Sequence, residues 1–311
     1  MRPDGSFEHD NRDLAGHDAV CAALEAGLNA VDPAHAVASP LAEWGESQEG
    51  RLVVVGCGKA AYGMYRGLAR SGAPIADGCI VTKDGYAPTD PSIDVHEAGH
   101  PHPDKRGMEA ARVIEHDAQA ATRSDHVVCL ISAGGSALLP SPAGSIGLNE
   151  LQQTHRMLVS SGADIAAINT VRKHLSRLKG GGLARAIHPA RHTTLIISDV
   201  VGNRLDVIAS GPTVPDPTTF TQALDVLEEL ELTESLPDAV VAHLEAGRRG
   251  DVPETAASGE ACFGRSAVDV VADSDTAVTA IRDHLRGSAS GAAGIKHIEA
   301  PVDLKPRRQA V

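Results

Sequence analysis

A doubly wound α/β fold, with helices on both faces of a mostly parallel sheet, is the architecture this sequence predicts. Three observations lead there. Val- and Ile-rich runs bounded by turn residues recur at Leu52–Val55, Cys79–Thr82, Val127–Ile131 and Thr194–Ser198, and each reads as a strand buried on both faces. Longer stretches with helical spacing separate them, the alternation expected of a parallel sheet built from β–α units. Glycine-rich and polar turns follow the strands, where ligands bind in such sheets.

The helical stretches, in order, are Asp18–Val31, Ala60–Ala69, Lys105–Ala121, Leu148–Ser161, Asp164–Leu178 and Thr221–Leu230. With the strands they make a Rossmann-like domain over 18–250, preceded by a polar segment, 1–17. After Gly250 the polar run Asp251–Glu260 reads as a linker. It leads into a strand-like Ala267–Ala272 and a helix-like Asp275–Leu285. One β–α unit has no sheet of its own to cover it, so 251–311 is expected to be a linker and the start of a truncated second α/β domain.

Composition narrows the function classes. The 311 residues are 42% hydrophobic and 22% charged, an ordinary globular balance. With a formal charge of −13 and 2% aromatics, neither a basic nucleic-acid surface nor a base-stacking platform is expected. The five cysteines at 21, 57, 79, 129 and 262 contain no Cys-x-x-Cys, so a disulfide framework or structural zinc motif is not indicated and a reducing compartment fits. The acidic start of the chain lacks an apolar signal core, and no run is long enough for a membrane span. The expectation is a cytoplasmic protein with small-molecule partners; a homodimer is compatible with these features.

Several segments carry candidate chemistry. In Gly56-Cys57-Gly58-Lys59-Ala60-Ala61 a β-branched run ends in two glycines and a lysine at a helix start. Such turns bring backbone N–H groups and a helix dipole to an anion, although any strand-to-helix turn can carry Gly-x-Gly. A second strand runs into Ser132-Ala133-Gly134-Gly135-Ser136, again able to aim N–H groups and a hydroxyl at an anion, or else a tight structural turn. Arg172, Ser176 and Lys179 fall at i, i+4 and i+7 beside the apolar stripe of Val171, Leu175 and Leu178. On a helix that is either a half-buried cationic edge or a solvated basic face. Asp199 ends a strand and is placed for a cation or a substrate hydroxyl, with turn capping as the alternative. Ser210-Gly211 belongs to another compact hydroxyl-rich turn. His96, His100 and His102 cluster, but the prolines between them and the absence of a helical His pair or matching Cys argue against a metal site, and Asp104 reads as a helix cap.

Taken in order, Gly56–Ala61, Gly99–Asp104, Ser132–Pro140, Asn169–Ser176 with Lys179-Gly180-Gly181, and Ser198-Asp199-Val200 through Ala209–Thr213 resemble the glycerate 2-kinase family, the MOFRL-type glycerate kinases. The resemblance runs from about Asp18 to about Leu285. It implies phosphorylation of D-glycerate to 2-phosphoglycerate with ATP and Mg2+. It implies Lys59 as the catalytic lysine, and the Ser132–Ser136 turn, with Ser132, Gly134, Gly135 and Ser136, and the Asn169–Ser176 segment, with Asn169 and Arg172, as cleft-lining elements; from their own turns and spacing Gly56, Gly58, Lys179, Ser210 and Gly211 join these as candidate substrate- or nucleotide-binding positions, and Asp199, which falls on the Ser-Asp-Val motif, is the candidate metal ligand. Two features depart from the family. Asn203 stands where an aspartate is more usual. Further glycine-rich stretches of a second domain do not follow Leu285. A shortened or frame-altered chain holding the first domain's half-site, with little or no kinase activity alone, is the resulting expectation. A dehydrogenase stays open, because Gly56-x-Gly58-x-x-Ala61 also fits a dinucleotide fingerprint and Asp84 could bind a ribose. A non-catalytic small-anion-binding domain is the third reading.

Overall fold

The computed structural model describes residues 11–37, 50–89 and 92–289. Most of the polar N-terminal segment and everything from 290 onward lie outside them. Six parallel strands form one sheet: β1 (Leu52–Cys57), β2 (Ile75–Lys83), β3 (Asp94–Ala98), β4 (His126–Ser132), β5 (Arg191–Ile197) and β6 (Ser266–Ala272), in the order β3-β2-β1-β4-β5-β6. The chain leaves β1 towards β2 and β3, then returns to the other side of β1 as β4. That reversal opens a crevice at the C-terminal ends of β1 and β4. Every residue of these two central strands is buried, as their unbroken apolar runs require.

Helices cover both faces. On one, α2 (Pro33–Ala36) and α3 (Ala61–Arg70) pack through Val37, Met64 and Leu68 on Val54, Val128 and Leu130. On the other, α4 (Lys105–Ala120) and α8 (Gly182–Ile187) pack through Ala110, Ile114 and Ile187 on Val55, Val81 and Cys129. A short α5 (Gly135–Leu138) follows β4. Beside the sheet, α6 (Leu148–Ser160), α7 (Ile165–His174), α9 (Phe220–Glu229) and α10 (Asp238–Arg248) share a core of Leu158, Val171, Leu175, Leu227 and Leu244. Helix α1 (Asn11–Ala30) packs on α11 (Ser274–Ala289).

Three expectations need correction. The β–α unit after residue 260 is not left uncovered: β6 pairs in parallel with β5 as the sixth strand, from His192 opposite Ser266 onward, and α11 packs on α1. The stretch 251–260 is not a free linker. Ala256 is buried and exchanges backbone hydrogen bonds with Gly180 and Asp216, while Arg185 donates to the Glu254 and Thr255 carbonyls. The helix expected over Asp164–Leu178 ends at His174. There the backbone of 175–177 pairs with Ser141–Ala143, through Ala143 N–H to Leu175 O and Arg177 N–H to Ser141 O, and this pairing outcompetes the next helical turn. Strand β3 and helix α10 were not expected. β3 is a short edge strand of mixed polar residues with no apolar run, and α10 begins directly after a proline.

Candidate active site

Two strand-end turns meet at the crevice. In the β1–α3 turn, Gly58 adopts φ +126°, and a Cβ there would stand 2.5 Å from the Ser132 carbonyl oxygen. The close approach lets the two turns be stitched together. Gly58 N–H donates to Val81 O, Lys59 N–H to Ala133 O, and Ala60 N–H to Ser132 Oγ at 2.9 Å. These N–H groups are therefore engaged within the protein. Gly56 lies inside β1. The expectation that Gly56–Ala61 forms the anion cradle is corrected: this turn holds the Lys59 backbone in place.

The β4–α5 turn is different. Gly134 takes φ +86°, and Gly134, Gly135 and Ser136 donate no backbone hydrogen bond among the described residues. The point where a Cβ on Gly134 would stand is 3.0 Å from His100 Nε2 and 3.4 Å from Lys59 Cε. Lys59 thus reaches across from its own turn, and His100 flanks the same glycine. Burial lowers the His100 pKa, and the neighbouring Lys59, Lys83 and His102 charges lower it further, opposed by Asp199. Burial and the neighbouring cations thus act against a charged ring.

A third turn closes the group. Ala209, Ser210 and Gly211 have φ of +50°, +63° and +60°, a left-handed run that costs about 1–3 kcal/mol at each non-glycine position and persists only where surroundings enforce it. The enforcement is visible. Gly180 N–H donates to Ser210 O and Gly181 N–H to Gly211 O, and the side chain of Ala209 closes on Gly135. Ser136 Oγ lies 3.0 Å from Ser210 Oγ, which donates to Asn169 Oδ1 at 3.2 Å, while Asn169 Nδ2 donates to Val207 O. This polar chain fixes the floor of the turn.

The structure therefore gathers Lys59, Ser132, Gly134, Gly135, Ser136, Asn169, Ser210 and Gly211. Arg172 and Lys179 stand behind them. Neither lies on a solvated basic face. Lys179 is buried with Nζ donating to Leu139 O at 3.0 Å, and burial, then Arg172, lowers its pKa to about 8. The Arg172 guanidinium is partly buried with Nε lacking a hydrogen-bond partner among the described residues, and burial depresses its pKa. Next to both, His155 is pushed down to about 3 by burial and by those two cations. Asp199 is exposed at the rim and its carboxylate makes no hydrogen bond among the described residues. Asn203 donates to Asp273 Oδ2 at 2.5 Å, so it ties β5 to β6. Asp84 is gripped by Arg106, at 2.5 and 3.0 Å.

Sequence reasoning counted Gly99–Asp104 among the family-like segments but gave His100 no role, reading the histidine cluster as an extended turn before α4. That part holds: Asp104 accepts from Gly107 N–H as the N-cap and also from Gly99 N–H. The available signal was positional. His100 follows β3 as Gly58 follows β1, on the same rim of the sheet.

The sheet order and this rim of glycine turns around a lysine define a doubly wound α/β protein with a donor-lined crevice at its topological switch point. A profile for the domain of unknown function DUF4147 matches residues 19–245. The chain belongs to that family, here the family of the glycerate 2-kinases. It is 46% identical over 207 residues to a glycerate 2-kinase of Pyrococcus horikoshii, covering 67% of this chain and 47% of the relative. It is 40% identical over 252 residues to an Agrobacterium vitis protein named as a hydroxypyruvate reductase, covering 80% and 57%. The crystal structure of a Thermotoga maritima glycerate kinase superposes with a TM-score of 0.75 at 31% identity, over 89% of this chain and 63% of that one. This chain thus spans about half the length of the two sequence relatives.

Proposed function

We propose that this site serves the ATP-dependent phosphorylation of D-glycerate to 2-phosphoglycerate, with Lys59 as its catalytic cation. The observation that carries this reading is the convergence of the Lys59 side chain and His100 on Gly134, beside three N–H groups with no partner among the described residues. Phosphoryl transfer needs positioned donors more than covalent help. A phosphoryl or carboxylate oxygen seated at Gly134–Ser136 would meet those N–H groups from below and the Lys59 ammonium from the side. The His100 ring offers a nitrogen for one hydrogen bond there. Ser136, Ser210 and Asn169 hold the turn so that its donors need no reorganisation when charge develops.

The residues fit a magnesium ion in one respect: Asp199 offers a carboxylate oxygen at the rim that no described residue occupies, and hard divalent cations take such oxygens together with water and phosphate. Magnesium bound there would help neutralise phosphate oxygens.

Reduction of hydroxypyruvate is the weaker reading. Its dinucleotide turn would be Gly56–Ala61, whose N–H groups from Gly58 to Ala60 are engaged, and its ribose acid would be Asp84, which Arg106 grips. A coupled assay with the purified chain separates the readings. Formation of 2-phosphoglycerate from ATP and D-glycerate at a low rate, in keeping with a chain that spans about half the length of its sequence relatives, and its loss in Lys59→Ala, are expected. NADH-dependent reduction of hydroxypyruvate without phosphate transfer would overturn the proposal, and ATP–magnesium binding without turnover would reduce it to the small-anion-binding reading.

A further inference from the structure

Away from the strand C-termini, β2 and β3 bring together a second set of side chains with different chemistry. Their parallel register places Asp94 opposite Cys79 and His96 opposite Val81. Alternation puts residues 94 and 96 on one face of β3, the face that Cys79 shares on β2. As a result the Cys79 Sγ, a carboxylate oxygen of Asp94 and a ring nitrogen of His96 all lie within 4.8 Å of one another. His96 Nε2 stands 3.1 Å from Asp94 Oδ2.

The burial differs across the three in a way that suits an ion entering from solvent. The Cys79 side chain is wholly buried and makes no hydrogen bond among the described residues, so its sulfur meets this pair without another polar partner. The Asp94 side chain is 59% exposed and that of His96 30%. Two further carboxylates, Asp77 and Asp117, act on the same spot. Burial, then Asp77, pushes the Asp117 carboxyl up, Asp94 adds to this, and His116 and Arg51 oppose it. The local field is negative and favours a cation.

We propose that Cys79, Asp94 and His96 form a binding site for a zinc-class divalent cation, separate from the crevice at Lys59. A mixed sulfur, nitrogen and oxygen donor set selects borderline-soft ions and disfavours magnesium and calcium, which take oxygen ligands. Three protein donors leave a fourth tetrahedral position for water. Binding forms a sulfur–metal bond and breaks the Cys79 S–H bond, the proton passing to solvent, with no change of oxidation state. The metal would pin β3, the edge strand whose C-terminal end delivers His100. Sequence reasoning set this aside for want of a matching cysteine near the histidines. Cys79 is that cysteine, brought in by strand pairing.

Cobalt(II) is the probe, because thiolate ligation gives it a sulfur-to-metal charge-transfer band. The full chain is expected to bind one cobalt with that band and to release it to zinc. Cys79→Ser should abolish the band. His96→Ala and Asp94→Ala, at partly exposed positions that the fold tolerates, should each weaken zinc binding about tenfold or more in a chelator competition. Cys21→Ser, which breaks the contact of Cys21 with the His17 ring on α1, should leave the band intact. A chain without the band, a band that survives Cys79→Ser, or zinc affinity unchanged in both His96→Ala and Asp94→Ala would overturn the proposal.

Discussion

The turns after β1 and β4 are alike in sequence, each a buried strand running into glycine and then a polar residue, Lys59 in one and Ser136 in the other, yet they do opposite work. Gly58, Lys59 and Ala60 give their N–H groups to Val81, Ala133 and Ser132, while those of Gly134, Gly135 and Ser136 find no partner among the described residues. The first turn fixes a lysine. The second offers the cradle into which that lysine leans. A glycine pattern marks where the backbone can bend or approach closely; which turn keeps free donors depends on the neighbour it is stitched to.

The contrast can be broken most severely at the lysine. Lys59→Ala should lower turnover by about 10²–10³-fold, the loss typical of removing one preorganised donor to developing charge, with little change in thermal stability because no ion pair involves its ammonium among the described residues. Turnover near wild type in the coupled assay would remove Lys59 from the chemistry.

Gly134→Ala and Gly58→Ala should then part ways. At Gly134 the new Cβ meets His100 and Lys59, both side chains that can yield, so the substitution should weaken phosphate binding more than the fold, beyond the ~1 kcal/mol a positive φ costs. At Gly58 it meets the Ser132 backbone, which cannot move without parting two central strands, so the main effect should be a lowered melting temperature. Equal effects of the two substitutions on melting and on phosphate affinity would erase the distinction.

Smaller still is the effect at the stitch. Ser132→Ala leaves the Ala60 N–H without its acceptor and should cost about 1–3 kcal/mol in urea unfolding, whereas Ser136→Ala, in the cradle, should show its loss chiefly in phosphate affinity.

The mildest test concerns the support behind the cradle. Lys179 has its pKa lowered from 10.5 to about 8 in the folded chain, so between those values the unfolded chain binds more protons and stability rises with pH. Below pH 8 the burial penalty on the charged amine is fully present. Lys179→Met should flatten the rise measured by urea unfolding at about pH 7.5 and about pH 10; an unchanged slope would show that other groups carry it.

Legibility followed the same contrast. The doubly wound sheet could be read because β1, β2, β4 and β5 carry β-branched runs buried on both faces, a signal that needs no tertiary knowledge. β3 could not, since Asp94-Val95-His96-Glu97-Ala98 is a half-exposed edge, and with it went the position of His100 and the approach of Cys79 to Asp94 and His96. Lys59, Ser132, Gly134, Ser136, Asn169 and Ser210 were legible as motif residues, and their assembly follows from the strand ends they share. The end of α7 was hidden because helical spacing persists through Leu178, while the pairing of 175–177 with Ser141–Ala143 is long-range. Burial of Arg172 and Lys179 was hidden for the same reason: the helices and turns that cover them come from other parts of the chain.

The most direct test is an amide nitrogen-15 titration of the full chain with inorganic phosphate. The account predicts that the Gly134, Gly135 and Ser136 resonances shift along one saturating curve, that the curve weakens in Lys59→Ala, and that Gly58 and Ala60 respond little. Shifts centred on Gly58 to Ala60, with Gly134 to Ser136 unmoved, would contradict it.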